Sequence, residues 1–258
     1  MQDQLKATRY AGSVNAAAID FGFKYAVPGT SLKDLDQAIG EYFHSHGCLP
    51  IFKGYRGFPG TACLSPNDVV VHGVPSDYCL KVGDLLTIDV GCSYEGWCVD
   101  SARTRVIGLK QPGLFPLQER LAAAAESVLE AQMSTLRHGT TLLDIARAAE
   151  FRAAQLDVNI FHQFGGHTIG RELHGPPFIP NCIDRSLSSI KKWQLEREYG
   201  QYILQAGQVI CLEPVVTFGK TDIIIDGDGW TVRTTDGSLV AHSEHCILVT
   251  DTGHEILS

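Results

Sequence analysis

The stretch LTIDVG, residues 86 to 91, places an aspartate inside a run that otherwise has the composition of a buried β-strand. Removing an unpartnered carboxylate from water costs several kcal/mol, roughly, unless the group takes up a proton. Asp89 therefore needs a cation, a set of hydrogen-bond donors or a catalytic task. Which of these applies depends on the other acidic and imidazole side chains of the chain.

A second segment repeats the pattern around Asp89. LKVGDLLTIDV (80 to 90) aligns without a gap on LQAGQVICLEP (204 to 214), and the alignment places Asp89 on Glu213. An echo of this length also arises by chance. The alternative is a pair of related half-domains, each of which delivers one acid from the same place in a strand to a shared centre.

The composition excludes several classes of protein. The 258 residues are enough for one large domain with a generous core. With 21 basic and 29 acidic residues the formal net charge is -8, so neither a nucleic-acid nor an anionic-membrane surface is indicated. The N-terminal segment has no apolar core of the signal-peptide type, and no stretch approaches the roughly 18 apolar residues that a membrane helix needs. We expect a soluble, cytoplasmic protein.

Hydrophobic periodicity predicts an α+β domain. Residues 68 to 108, and most of the chain after residue 207, have the pattern of strands joined by short turns. Residues 50 to 66 are rich in Gly, Pro and aromatic residues and are predicted to be a loop, and 181 to 200 a polar, partly helical insertion. Strands and helices do not alternate strictly, which favours an antiparallel sheet. Helices are predicted from Gln4 to about Val27, from Ser31 to Gly47, from Leu117 to about Leu136 and from Thr141 to about Leu156.

Five side chains are candidate metal ligands in apolar or Gly-rich surroundings. Asp89 and Asp100 lie eleven positions apart across a predicted turn, so neighbouring antiparallel strands could direct both to one point. Taken singly, each acid has the ordinary interpretation of a turn or strand-end residue. Together, four carboxylates and one imidazole suit a pair of divalent first-row metal ions, which favours hydrolysis of an amide or a phosphate. The five are Asp89, Asp100, His167, Glu213 and Glu244.

Two histidines are candidates for contacts with a substrate. In isolation each is more often structural or exposed, but His72 follows the run VVV, and His174 lies seven positions after His167 in a Gly-rich segment. Both could donate hydrogen bonds to a substrate or to a developing oxyanion at the metal centre. The other histidines, His242 among them, lie in helical or polar contexts and are assigned no role.

Five motifs occur in order along the chain: NDVVVHGVP, LLTIDVGCSYEGWCVDSARTRVIG, GGHTIGRELHGPP, VICLEPVV and SEHCILVTDTGHEIL. Together they resemble the type I methionine aminopeptidases of the bacterial kind, from about residue 5 to the end. The resemblance implies the pita-bread fold, an antiparallel sheet backed by helices with pseudo-twofold symmetry, as a single catalytic domain over residues 1–258. It would also account for the echo around Asp89 and Glu213.

The resemblance also implies a role for each ligand candidate. Asp89 would bind one metal ion and His167 with Glu213 the other, while Asp100 and Glu244 would bridge them. The ions would be Co, Fe, Mn, Zn or Ni.

For catalysis, the resemblance implies that Glu213 also acts as the acid/base, that His72 contacts the scissile peptide group and that His174 stabilises the carbonyl oxygen. The substrates would be N-terminal Met peptides and nascent chains at the ribosome, from which a monomeric enzyme removes the initiator methionine when the second residue is small.

The positions that resemble the family's methionine pocket depart from its pattern in part. Phe58 stands where a tyrosine is common, Leu173 replaces an aromatic residue, and Thr168 follows His167 where glycine is usual. Such changes in the pocket wall alter the discrimination between first residues by roughly 1 to 3 kcal/mol at most. The pocket positions are Tyr55, Phe58, Cys63, Leu173 and Trp230.

Two alternatives remain open from the sequence. An X-Pro peptidase of the same fold usually has an additional N-terminal domain, for which there is no room before residue 68. A non-catalytic protein of this fold that binds peptides or ribosomes predicts broken ligand positions, whereas all five are present. The insertion at 181–200 is either a surface segment near the rim of the site or a contact for a partner.

Overall fold

The computed structural model describes residues 2–184 and 186–258, in which every pair of neighbouring strands is antiparallel. The helices are α1 (Gln2–Tyr25), α2 (Leu32–Ser45), α3 (Pro116–Met133), α4 (Leu142–Leu156) and α5 (Ser189–Gln201). The strands are β1 (Leu49–Pro50), β2 (Ala62–Pro66), β3 (Val69–Val71), β4 (Leu85–Tyr94), β5 (Trp97–Val106), β6 (Asn159–Ile160), β7 (Gly165–Thr168), β8 (Gly175–Pro180), β9 (Val209–Leu212), β10 (Val215–Thr217), β11 (Ile223–Ile225), β12 (Val232–Thr234), β13 (Val240–His242), β14 (His245–Val249) and β15 (His254–Ile256).

The first half of the chain packs α1 and α2 against a sheet centred on β4. Ser31 caps α2 by accepting a hydrogen bond from the backbone of Asp34 at 3.1 Å, as the sequence predicts. β4 and β5 pair over ten residues through a two-residue turn in which Glu95 (φ 50°) and Gly96 (φ 76°) are both left-handed. That turn matches the twist of the two strands, and it fixes the register of Asp89 and Asp100.

The second half repeats this arrangement around β9. This strand lies between β14 and β7 in a five-stranded sheet, and the α3–α4 pair covers it through a cluster that contains Ile145, Ile210 and Leu212. α4 begins with a capping box, in which the side chains of Thr141 and Asp144 each accept from the other's backbone N–H.

A short backbone bridge joins the two halves at the centre of the molecule. The N–H of Glu244 donates to the carbonyl of Ala102 at 2.8 Å, and the N–H of Ala102 donates in return at 3.3 Å. Ala102 lies on β5 directly opposite Asp89. The bridge therefore places an acid of the second half beside the acids of the first.

One part of the secondary-structure prediction was wrong. Residues 62–66 form the buried strand β2 rather than the end of a loop, and β2 pairs with β4 so that Cys63 lies opposite Asp89. The Gly-rich segment after residue 164, for which the sequence predicts no element, contains the strands β7 and β8. A Cβ at Gly166 would lie 2.0 Å from the carbonyl oxygen of Cys211, so glycine is required there by close strand packing.

Residues 181–200, of which residue 185 lies outside the described part of the chain, include all but the last residue of the helix α5, and no residue of α5 is buried. This agrees with the prediction of a polar, partly helical segment. Among the described residues, no helix has both the length and the apolar character needed to cross a membrane.

Candidate active site

All twelve side chains singled out in the sequence line one cavity of about 310 Å³ between the two halves. Because each half contributes acids to it, the cavity lies where the echo around Asp89 and Glu213 predicts a shared centre. Its lining comprises Phe52, Tyr55, Arg56, Phe58, Cys63, Val71, His72, Asp89, Asp100, Phe164, His167, Leu173, His174, Glu213, Trp230, His242 and Glu244.

Strand register explains why the acids of the first half point to one place. Cys63, Asp89 and Ala102 lie side by side across β2, β4 and β5, and residues paired in this way share a face of the sheet. Asp100 lies two residues before Ala102 on β5, so the alternation of the strand places it on the same face.

The second half uses the same rule. His167, Cys211 and Cys246 lie side by side across β7, β9 and β14. Glu213 lies two residues after Cys211 and Glu244 two residues before Cys246, so both acids share the face of His167. The side-chain amide of Asn181 donates to the Glu213 carbonyl at 3.0 Å, which fixes the backbone where β9 ends.

The carboxylates are close enough to share cations. One oxygen each of Asp89, Asp100 and Glu244 lies within 4.8 Å of the others, and the same limit holds for ligand atoms of Asp100, His167 and His174. Buried oxygens of all three acids have no hydrogen-bond partner among the described residues. A donor set of buried, unsatisfied carboxylate oxygens with an imidazole fits divalent metal ions.

Without a cation these acids resist ionisation. Burial raises the pKa of Asp89 to about 7. Burial first, and then the charge of neighbouring acids, raises the pKa of Asp100, Glu213 and Glu244 well above the ordinary carboxyl range. Bound dications would reverse this preference, since they stabilise the ionised form. Dications in the cavity would therefore offset the charge of Asp89, the buried acid of LTIDVG.

The ring of His167 is oriented for metal binding. Its Nδ1 lies 3.0 Å from the carbonyl oxygen of Thr168, an arrangement in which Nδ1–H donates and Nε2 keeps its lone pair. Nε2 lies 3.8 Å from the nearer carboxylate oxygen of Glu213. The Thr168 side chain donates to the Pro176 carbonyl at 2.9 Å and so is accommodated where the family pattern has glycine.

His174 is held by a neighbour that the sequence placed in the methionine pocket. The hydroxyl of Tyr55 lies 2.9 Å from Nδ1 of His174, whose ring centroid lies 4.4 Å from that of His167. Desolvation, followed by the charges of His167 and Arg56, lowers the pKa of His174 to about 4. The imidazole is therefore neutral near pH 7.

The walls around His72 form the apolar part of the cavity. The His72 ring stands edge-on to Phe164 and Trp230, with centroids 6.3 and 6.1 Å away, and burial lowers the pKa of His72. Phe58 contacts Trp230 edge to face at 5.3 Å. Together with Leu173, which is buried, these aromatic rings make an apolar cup beside the acids.

Two polar residues of the cavity were not predicted from the sequence. His242 is buried with Nε2 4.0 Å from Glu244, and burial lowers the pKa of His242 to about 3. Its position two residues before a ligand candidate was a usable signal, because alternation then predicts a common face. Arg56 lies in a loop without periodicity, and no pattern predicted its place at the cavity.

Comparison with known proteins gives consistent results. Residues 6–251 match the profile of Metallopeptidase family M24. The chain is 39% identical over 263 residues to methionine aminopeptidase 1 of Mycobacterium tuberculosis, covering 99% of this chain and 92% of the relative. It is 36% identical over 257 residues to the methionine aminopeptidase of Mycoplasma capricolum, covering 100% and 96%.

Solved structures extend the comparison to the fold. The methionine aminopeptidase of Rickettsia prowazekii superposes with a TM-score of 0.88 at 31% identity, covering all of this chain and 97% of that one. The prolidase of Pyrococcus furiosus shares the fold, with a TM-score of 0.74 at 17% identity. The superposition covers all of this chain and 64% of the prolidase chain. The predicted α+β pita-bread fold is therefore confirmed.

Proposed function

Because the chain belongs to metallopeptidase family M24, we propose that it is a methionine aminopeptidase that hydrolyses the first peptide bond of proteins whose second residue is small. The proposal rests on one observation above the others. The donor set, both histidines and the apolar cup line the same cavity, as an exopeptidase for an apolar first residue requires.

The donor set suits two divalent ions. In the proposed arrangement Asp89 would hold one ion, His167 and Glu213 would hold the other, and Asp100 and Glu244 would serve both. When bound, such ions supply Lewis-acid activation of water and of the peptide carbonyl. Three observations support this assignment: the closeness of Asp89, Asp100 and Glu244, the 3.8 Å between His167 Nε2 and Glu213 Oε1, and the orientation of the His167 ring.

The remaining steps fall to side chains of the chain itself. Glu213 takes a proton from the attacking water and transfers it to the leaving amine as the C–N bond breaks. His174, with Nδ1 accepting from Tyr55, has Nε2–H free to donate to the carbonyl oxygen as negative charge develops. His72 contacts the scissile peptide group from the other wall.

The apolar cup supplies selectivity. Phe58, Trp230, Leu173 and Cys63 provide an apolar surface for a thioether side chain, while the acids beside them attract the free α-amino group. This combination favours an unblocked N-terminal methionine. The functional unit in this proposal is a single catalytic domain, a cytoplasmic monomer acting on nascent chains near the ribosome.

A peptide panel tests the proposal. Purified protein, stripped with a chelator and reloaded in turn with Co(II), Mn(II), Fe(II), Zn(II) or Ni(II), should release methionine from Met-Gly and Met-Ala peptides but not from Met-Leu peptides. Glu213→Gln should lose this activity, whereas Glu95→Gln, an exposed acid in the β4–β5 turn, should keep it. Cleavage of X-Pro substrates alone would favour a prolidase, and absence of metal binding would favour a non-catalytic protein.

A further inference from the structure

The cavity opens to solvent beside two residues. Of the side chains that line it, Arg56 and His174 belong to exposed residues, and the others belong to buried or partly buried ones. A peptide whose first residue fills the cup must therefore leave the cavity past Arg56 and His174. The proposed function assigns His174 to the scissile carbonyl, and Tyr55, the hydrogen-bond partner of His174, directly precedes Arg56. Residues that follow the cleaved bond and leave past His174 would therefore come near Arg56.

Arg56 is an unneutralised cation at this opening. No carboxylate in residues 4–184 and 186–258 lies within 4.0 Å of its guanidinium, while several other arginines of the chain have such partners. The guanidinium carbon lies 5.3 Å from the centre of the Tyr55 ring, which supports it from one side. Its planar donor array is thus available for an acceptor outside the chain.

The backbone conformation at Arg56 is unusual for a residue with a side chain. Arg56 has a left-handed conformation (φ 49°, ψ 24°) and lies between Gly54 (φ 86°) and Gly57 (φ 91°). Glycine adopts such a conformation more easily than arginine does, so the loop geometry by itself does not select arginine at position 56.

We propose that Arg56 is a specificity-determining residue that selects substrates with an acidic side chain at the third or fourth position, just after the small second residue. This inference rests on the proposed aminopeptidase function. An extended chain advances about 3.3–3.6 Å per residue, so these are the positions that pass a long side chain at the rim of the cavity. A carboxylate there would pair with the guanidinium in two-pronged geometry.

The test compares three amidated peptides, Met-Gly-Glu-Gly, Met-Gly-Gln-Gly and Met-Gly-Lys-Gly, whose blocked C-terminus removes a competing carboxylate. For the wild-type enzyme, kcat/KM should be about two- to fivefold higher for the Glu than for the Gln peptide at low salt, the scale of an exposed ion pair. High salt should reduce the preference. The same series with the variable residue at position four locates the contact.

Variants assign the preference to the side chain. Arg56→Gln should bring the Glu-to-Gln ratio close to one, Arg56→Lys should retain part of it, and Arg56→Glu should favour the Lys peptide. Lys53→Gln, which removes an exposed cation from the same loop outside the cavity, should leave the ratio unchanged. Each ratio is measured within one variant, so partial unfolding cancels.

Two outcomes distinguish failure of this inference from failure of the proposed function. Equal Glu-to-Gln ratios in the wild type and in Arg56→Gln, at both positions, would overturn the inference while leaving the aminopeptidase function intact. Failure of the metal-loaded wild type to cleave any of the three peptides would overturn the proposed function itself.

Discussion

The hydroxyl of Tyr55 lies 2.9 Å from Nδ1 of His174, so an aromatic residue of the pocket wall is also a hydrogen-bond partner of the neighbouring imidazole. When the hydroxyl donates to Nδ1, the ring proton resides on Nε2, as the proposed role of His174 requires. Removing the hydroxyl frees the ring to adopt the other tautomer and to rotate. In the proposed mechanism the contact therefore connects the shape of the pocket with the stabilisation of the carbonyl oxygen.

Tyr55→Phe should lower kcat for a Met-Gly-type peptide by about threefold to tenfold, the scale of one hydrogen bond, with a smaller change in KM. Steady-state kinetics across pH 6 to 9 provide the measurement. Tyr10→Phe is the matched control, since it deletes a hydroxyl that donates to a backbone carbonyl (that of His46, 3.0 Å away) on the surface. A rise in KM with an unchanged kcat would indicate that Tyr55 contributes only to the shape of the pocket wall.

Asp100→Asn should separate stability from activity. The amide keeps the size of the side chain but removes a charge that burial and neighbouring acids disfavour, so the metal-free variant should melt at a higher temperature than the metal-free wild type near pH 8. Its kcat/KM should fall by at least about 10²-fold, the loss caused by disturbing even the outer partners of a metal ligand.

Calorimetry and peptide assays on one preparation measure both effects. Asp77→Asn, at an exposed acid paired with Lys33, should change neither by much. A metal-free Asp100→Asn protein that melts below the wild type would contradict the electrostatic argument.

The metal-free protein should lose stability as the pH rises. The pKa of Asp89 is about 7 in the folded protein against an ordinary value near 3.8, and burial with the charge of neighbouring acids raises the pKa of the other three acids well above the ordinary range. A raised carboxyl pKa means that the folded state binds more protons than the unfolded state. The stability that these groups contribute is therefore greatest below about pH 4 and declines as the pH rises through the folded pKa values.

In chelator, the melting temperature should therefore fall by about 5 °C or more between pH 5 and pH 8, allowing for a few degrees per kcal/mol in a chain of this size. Saturating divalent metal should flatten or reverse the slope, because it favours the ionised acids. A chelated protein whose melting temperature is independent of pH, or rises with it, would show that the acids are solvated rather than buried together.

Gly166→Ala should be strongly destabilising. The added Cβ would lie 2.0 Å from the Cys211 carbonyl oxygen, so β7 and β9 would have to separate next to His167. Overpacking of this kind costs about 1–3 kcal/mol. Denaturant unfolding measures it, and Gly170→Ala is the control, since its Cβ would meet only Trp97 at 3.8 Å and the change should stay within about 0.5 kcal/mol. Equal losses in both variants would refute the strand-packing explanation.

The sequence was informative where an acid interrupts an apolar strand. Asp89 and Glu213 violate the composition of a core strand, and that violation marks a site, so the acids were identified together with the strands that carry them. The register of β4 and β5 then follows from the two-residue turn between them.

The sequence was less informative where a segment becomes a strand only through pairing with its neighbour. β2 and β7 contain small residues whose strand conformation is imposed by close contact with β4 and β9, so local propensity indicates a loop for β2 and no element for β7. Arg56 illustrates a second limit, because a cation in an irregular loop has no periodic pattern, and its position at the cavity depends on tertiary structure.

The backbone bridge between Ala102 and Glu244 gives the metal centre a thermodynamic role in the whole molecule. Parting the two halves would break both hydrogen bonds of the bridge and separate the acids of one half from those of the other. Cations held by both sets would bind only the assembled state, so the unfolding midpoint should rise with the logarithm of the free metal concentration. The ions would then act as a reversible cross-link between the two halves. Depletion of metal from the solution would lower the cooperativity with which the whole protein unfolds.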